Sequence, residues 1–167
     1  EYQVFTPFRN GLLGVSGLNN HIETALKLGK TDEFYFGKPI MICVNDHSLK
    51  LNNGDIGICL DVDGKTVTFP YMNDKGEESY REINTRSLPE LQVVFAMTVH
   101  KSQGSEYDHC FLIVPEPNEN QKELLTREIF YTAVTRAKES ITIASSKENI
   151  RVMVCNKTER ASGLFVT

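Results

Sequence analysis

The sequence predicts an α/β domain built on a parallel sheet and interrupted by a small antiparallel β-barrel, on three observations. "LQVVFAMTV" and "HCFLIVP" are unbroken apolar runs, as in strands covered on both faces of a parallel sheet. A helical pattern through "KELLTREIFYTAVTRAK" stands between the second run and a further strand, "SITIAS", so strand and crossover alternate. Between Gly37 and about Leu88 the runs shorten and turn dipeptides recur about every ten residues, the signature of a small closed antiparallel unit. The expected organisation is residues 1–36 and 88–167 as the α/β layer, with 37–87 inserted as the barrel.

Each element has a local reason. "EYQVFTPF" reads as a short strand ending at a proline, and "RNGLLGVSG" as a loop whose glycines permit tight backbone turns. From Ser16, a candidate cap, Leu18, Ile22, Ala25 and Leu26 recur on one helical face. "KPIMICVND", "GDIGICLDVD", "KTVTFPY" and "ESYREI" are strand candidates separated by "NNGD", "DG" and "NDKG", which suit hairpin turns. In the long helical pattern, Leu125, Ile129, Ala133 and Ala137 keep i, i+4 spacing, and "KENIRVMV" gives a last short helix.

Composition narrows the function. The chain of 167 residues can bury one proper core with an insertion. It has no apolar run of membrane-spanning length and no signal pattern, so no membrane partner is expected. A net charge of −4 gives no global field for nucleic acid, so any such binding must rest on local groups. Cys43, Cys59, Cys110 and Cys155 include no C-x-x-C pair, which points to a reducing cytoplasm and away from zinc. Because it starts at Glu1 without a methionine, the chain is expected to be cut from something longer.

The chemistry-bearing stretches sit where strands end. "GKT" at Gly29–Thr31 imitates the end of a phosphate-binding loop, but Thr24 stands where that loop needs glycine, and the stretch trails a helix. Asp32-Glu33 is a poor magnesium pair, having no apolar strand before it. "TVHKSQGSEYD" follows a buried-looking strand without a spacer, and ligands of open parallel sheets bind beyond strand carboxyl ends. Thr98 and His100 alternate with Val99 and would project to one side, toward phosphate oxygens. Gly104 allows close backbone approach, and Glu106 could accept from a ribose hydroxyl. A polar turn with a capping serine is the competing reading. Arg136 also has two readings: a last-turn arginine on the helix dipole pairing with Glu139, or a planar donor for a terminal phosphate. Arg9, after a short strand and before a glycine loop, is weak taken alone. His21, His47 and His109 have no partner at ligand spacing.

Taken together, "AMTVHKSQGSEYD" resembles motif V and "FYTAVTRAK" motif VI of superfamily 1 helicases. "TPFRNGLLGVSGLN" resembles the motif IV region of the RecD branch, the exodeoxyribonuclease V alpha subunit, and "KTERASGL" resembles that subunit's C-terminal end. The "GDIG" strand pair is similar to the Src-homology-3-like barrel inserted there. The resemblance implies a second RecA-like motor domain of an ATP-dependent 5′-to-3′ DNA helicase acting in double-strand break repair and recombination. It implies ATP and Mg²⁺ held mainly by an N-terminal RecA-like domain of the same protein, single-stranded DNA as a partner, and RecB-like and RecC-like subunits. Carried over, Arg9 and Arg136 would reach the γ-phosphate, and Gly104 and Glu106 would face the nucleotide. Thr98, His100 and Lys101 would hold the strand, Gln103 would link the two sites, and Asn45 would be a further DNA contact. The fragment alone is expected to be inactive. Two alternatives stand: a non-catalytic single-strand-binding module using Phe69, Tyr71 and Tyr80, and another superfamily 1 motor of relaxase-linked or Pif type. Tyr107 departs mildly from the phenylalanine expected at its place.

Overall fold

The structure, a computed structural model, describes residues 1–27 and 33–157. Gly29–Thr31, Asp32 and the C-terminal stretch from 158 lie outside the described residues. The chain divides into two compact units, Glu1–Leu18 with the chain from Ala96 onward, and Asn19–Phe95.

The first unit is a four-stranded parallel sheet of β1 (Tyr2–Thr6), β7 (Ala96–Thr98), β8 (Tyr107–Val114) and β9 (Ala137–Ser145), in the order β7-β1-β8-β9. Register fixes its two ends. Thr6 lies beside Thr98, Tyr2 beside His109, and Tyr107 beside Ala137. Phe5, Met97, Cys110, Leu112 and Val114 are buried, and the Phe5 and Tyr107 rings meet edge to face at 5.8 Å. Helix α2 (Arg127–Val134) packs on β8 and β9 through buried Ile129 and Ala133, and against α3 (Lys147–Cys155).

The helix predicted through "KELLTREIFYTAVTRAK" is much shorter than its apolar spacing suggests. Glu119–Leu124 is a 3₁₀ turn opened where the Gln121 side-chain oxygen accepts from the Asn118 amide at 3.1 Å. The chain then extends at Thr126 (φ −118°, ψ 159°), whose hydroxyl accepts from the Ile129 amide to start α2. A good N-cap outcompetes continued helix at the point where Leu125 must turn inward and bury completely.

The second unit is a five-stranded antiparallel sheet, β5-β4-β3-β2-β6, formed by β2 (Pro39–Ile42), β3 (Ile56–Ile58), β4 (Thr66–Met72), β5 (Glu78–Asn84) and β6 (Leu91–Val93). Its core gathers Ile40, Ile42, Leu51, Cys59, Val67, Phe69 and Ile83. Asp61 closes one turn by accepting from the Asp63 and Lys65 amides, which also holds its carboxyl below the usual range. "LQVVFAMTV" is therefore two strands in two sheets: β6 pairs antiparallel with β2, whereas β7 pairs parallel with β1. An apolar run cannot show where a chain changes sheets.

Helix α1 (Val15–Lys27) begins one residue before the expected cap. Ser16 sits inside it, its hydroxyl donating to the Arg9 carbonyl at 3.3 Å. Of the predicted face, Leu18 is buried but Leu26 is 55% exposed.

Candidate functional site

The segment from Thr98 to Glu106 owes its shape to topology. β7 and β8 both flank β1 and run parallel to it, so residues 99–106 must return from the carboxyl end of β7 to the amino end of β8. Val99–Ser102 forms a 3₁₀ turn beginning that return, secured by the buried Ser102 hydroxyl donating to the Val99 carbonyl at 2.7 Å. Thr98 is the last strand residue and is 7% exposed. The alternation expected to pair it with His100 ends there, and His100, Lys101 and Gln103 are exposed on the turn. Gly104 has φ +91°, a conformation side chains resist, with nothing near where a Cβ would stand.

At the amino end of the strands, Ser105, Glu106 and Arg136 come together. Arg136 lies just beyond α2, between its C-cap Thr135 and the first residue of β9, so it is not in the helix's last turn. Its Nη1 donates to the Ser105 carbonyl at 2.9 Å, and its own carbonyl accepts from the Tyr107 amide at 2.9 Å. The guanidinium is only partly satisfied, for Nε is buried without a hydrogen-bond partner. Glu139 does not pair with it. β9 turns that carboxylate toward His109 Nε2, 3.5 Å away, while His109 Nδ1 meets the Ser140 hydroxyl at 2.9 Å. Burial pushes up the Tyr107 phenol and the Cys110 thiol beside this end. Glu106 is exposed.

The carboxyl end carries a different set. Arg9 is exposed three residues beyond Thr6, held by backbone bonds from Val15 to the Phe8 carbonyl and from Ser16 to the Arg9 carbonyl. Since Thr6 adjoins Thr98, whereas Arg136 precedes the residue paired with Tyr107, the two arginines stand at opposite ends of the same strands. From Tyr2 to Thr6 that is roughly 13 Å, at about 3.3 Å per residue. The sequence set Arg9 and Arg136 toward one phosphate, whereas their backbones stand at opposite ends of the sheet. Parallel pairing fixes the ends, and counting residues after a strand does not. Arg9 instead shares an edge with Thr98 and His100.

Also at His100 is a cleft of about 620 Å³ that sequence reasoning missed, lined by His100, Glu123, Leu124, Thr126, Ile129 and the end of α3. Its walls lie far apart in sequence, so no spacing signalled it. In the second unit, Asn45 is exposed, its side-chain oxygen accepting from the Asn53 amide at 2.7 Å. Of the three candidate stacking aromatics there, Phe69 is 1% exposed and belongs to the core, whereas Tyr71 and Tyr80 are exposed. Among the described residues, no three His, Cys, Asp or Glu side chains cluster as a metal ion would need. No described helix is long and apolar enough to cross a membrane.

The UvrD-like helicase C-terminal domain family matches residues 93–144. The RecBCD enzyme subunit RecD of Haemophilus influenzae is 38% identical over 95% of this chain and 24% of its own length. The Mycobacterium tuberculosis subunit of the same name is 33% identical over 98% of this chain and 28% of its own. The ATP-dependent RecD2 DNA helicase of Deinococcus radiodurans is 28% identical over 94% and 22%. The chain thus spans about a quarter of the length of these relatives. A Bacteroides Pif1 helicase solved with ADP-AlF3 and ssDNA shares the fold, with a TM-score of 0.55 at 18% identity over 87% of this chain and 40% of that one.

Proposed function

We propose that this RecD-like superfamily 1 DNA helicase C-terminal domain is a motor half that binds nucleotide at one end of its parallel strands and single-stranded DNA at the other. The observation that carries the reading is the 2.9 Å bond from Arg136 to the Ser105 carbonyl, which ties two motifs 31 residues apart into one amino-end cluster. In this reading Arg136 offers its fork to the terminal phosphate, where planar donors stabilise charge developing in phosphoryl transfer. Glu106 accepts from the ribose, and Gly104 admits the nucleotide closely. Thr98, His100, Lys101 and Arg9 hold the DNA backbone through phosphate contacts, and Asn45 adds a contact from the second unit. Gln103 lies between the two sets. A turn shared by both ligands makes strand affinity depend on nucleotide state.

The rest of the site lies in an N-terminal RecA-like domain of the same protein, which supplies the phosphate loop and the Mg²⁺ carboxylate. ATP hydrolysis drives 5′-to-3′ movement on single-stranded DNA in exodeoxyribonuclease V, with RecB-like and RecC-like partners, in cytoplasmic break repair and recombination. We read the antiparallel sheet as the Src-homology-3-like barrel expected over residues 37–87 within a RecA-like layer of 1–36 and 88–167, its edge strand β6 (Leu91–Val93) reaching beyond that span. The RecD names of the relatives and their coverage of nearly the whole chain support this reading over the single-strand-binding module, as does the burial of Phe69. The test is ATPase activity stimulated by a dT oligomer, measured on the whole protein and on this chain. The whole protein turns over and the chain alone does not. Turnover by the pure chain would count against a half-site.

A further inference from the structure

The cleft at His100 has a composition that backbone binding alone does not require. Ile129 gives it an apolar floor, Leu124 offers an apolar wall at 42% exposure, and His100 presents an exposed imidazole. Two parts of the lining are preorganised. Asn156 donates its side-chain amide to the Leu125 carbonyl at 3.0 Å, and its carbonyl accepts from the Arg127 amide at 2.7 Å. Thr126 is engaged in capping α2. Glu123 and Lys157 bring one charge of each sign.

That balance argues against a bare phosphate, which would draw concentrated positive charge. At about 620 Å³ the cleft lies within the roughly 300–1,000 Å³ usual for small-molecule sites, ample for one base. Its position at His100, two residues past the end of β7 and away from Arg136, separates it from the nucleotide end.

We propose that this cleft seats one unstacked base of the bound single strand, an inference that rests on the strand-binding role given above to the carboxyl end. The base lies against Leu124 and Ile129 with its face toward the His100 imidazole. Glu123 accepts from an exocyclic or ring N–H, and Lys157 meets the adjoining phosphate. The strand is thereby held by a base as well as by its backbone, which gives each position along the DNA a discrete seat.

The test compares a dT oligomer with an abasic oligomer of equal length by fluorescence anisotropy. Stacking of a base is worth roughly 1–3 kcal/mol, so dT should bind at least about fivefold more tightly. Leu124→Ala and Asn156→Ala should bring that ratio to within about twofold and leave abasic binding unchanged, which also reports that the variants fold. Lys157→Ala should weaken both oligomers alike and lower the salt slope by about one. An unaltered dT-to-abasic ratio in Leu124→Ala, with dT still bound, overturns the base seat and leaves the strand-binding role standing. Failure of both oligomers to bind overturns both.

Discussion

Replacing Arg136 with alanine separates a structural arginine from a catalytic one. The substitution removes the 2.9 Å tether to the Ser105 carbonyl. A hydrogen bond from a charged donor contributes about 1.5–3 kcal/mol, and at a half-buried site solvent reduces that to about 1 kcal/mol. In a chain of this size such a loss lowers Tm by about 2–4 °C. An arginine acting on a terminal phosphate is worth about 10³–10⁵ in kcat, or roughly 4–7 kcal/mol at about 1.36 kcal/mol per decade. The two roles thus differ by several kcal/mol. The assay is steady-state ATPase of the whole protein with saturating dT oligomer, alongside a thermal melt. The nucleotide role predicts at least a thousandfold loss of kcat with a shift of only a few degrees. Arg136→Lys should recover little, because it keeps the charge but loses the planar fork. A loss below about tenfold with KM for ATP unchanged would refute the assignment.

Three further outcomes follow from particular residues. Gly104→Ala meets no steric obstacle, so its cost is the backbone strain of φ +91°, about 1–2 kcal/mol; calorimetric titration should show weaker nucleotide binding with dT affinity nearly unchanged. In the second unit, a Cβ on Gly57 would come within 2.6 Å of the Phe69 ring and 2.7 Å of Val67, so Gly57→Ala should destabilise by about 1–3 kcal/mol in urea unfolding. Burial, with Glu23 beside it, raises the Tyr35 phenol to about 12, and burial also raises Tyr107. A folded value above the unfolded value of about 10 means the folded chain binds more protons between them. The contribution is therefore complete below pH 10 and is lost as pH rises toward 12. Tyrosinate absorbance should show a late transition near pH 12 that Tyr35→Phe removes.

The parts of this fold legible from sequence were those with local causes. Short runs and turn dipeptides located β2 to β5, and the long apolar runs located β7 and β8. Strands β4 and β5 match their runs within a residue at each end, whereas β2 and β3 end four and five residues earlier than theirs. What sequence could not show was set by distant partners. The division of "LQVVFAMTV" between two sheets depends on strands β1 and β2 far from it in the chain. The shortening of α2 had a visible signal in Thr126, three residues before Ile129, which the stronger apolar spacing concealed. For the site, residue types pointed to Ser105's neighbours and to Arg136, but the end of the sheet at which each stands is a matter of strand order. That is why Arg9 was expected beside Arg136, and why the cleft built from His100, Leu124 and Asn156 went unseen.

The proposed separation of nucleotide and strand to opposite ends of one sheet is open to direct measurement by photocrosslinking and peptide mapping on the whole protein. A photoreactive ATP analogue should label peptides containing Gly104–Tyr107 or Arg136, and a 5-iododeoxyuridine oligomer should label those containing Thr98–His100, Arg9 or Leu124. Labelling of Arg9 by the ATP probe, or of Glu106 and Arg136 by the DNA probe, would contradict it.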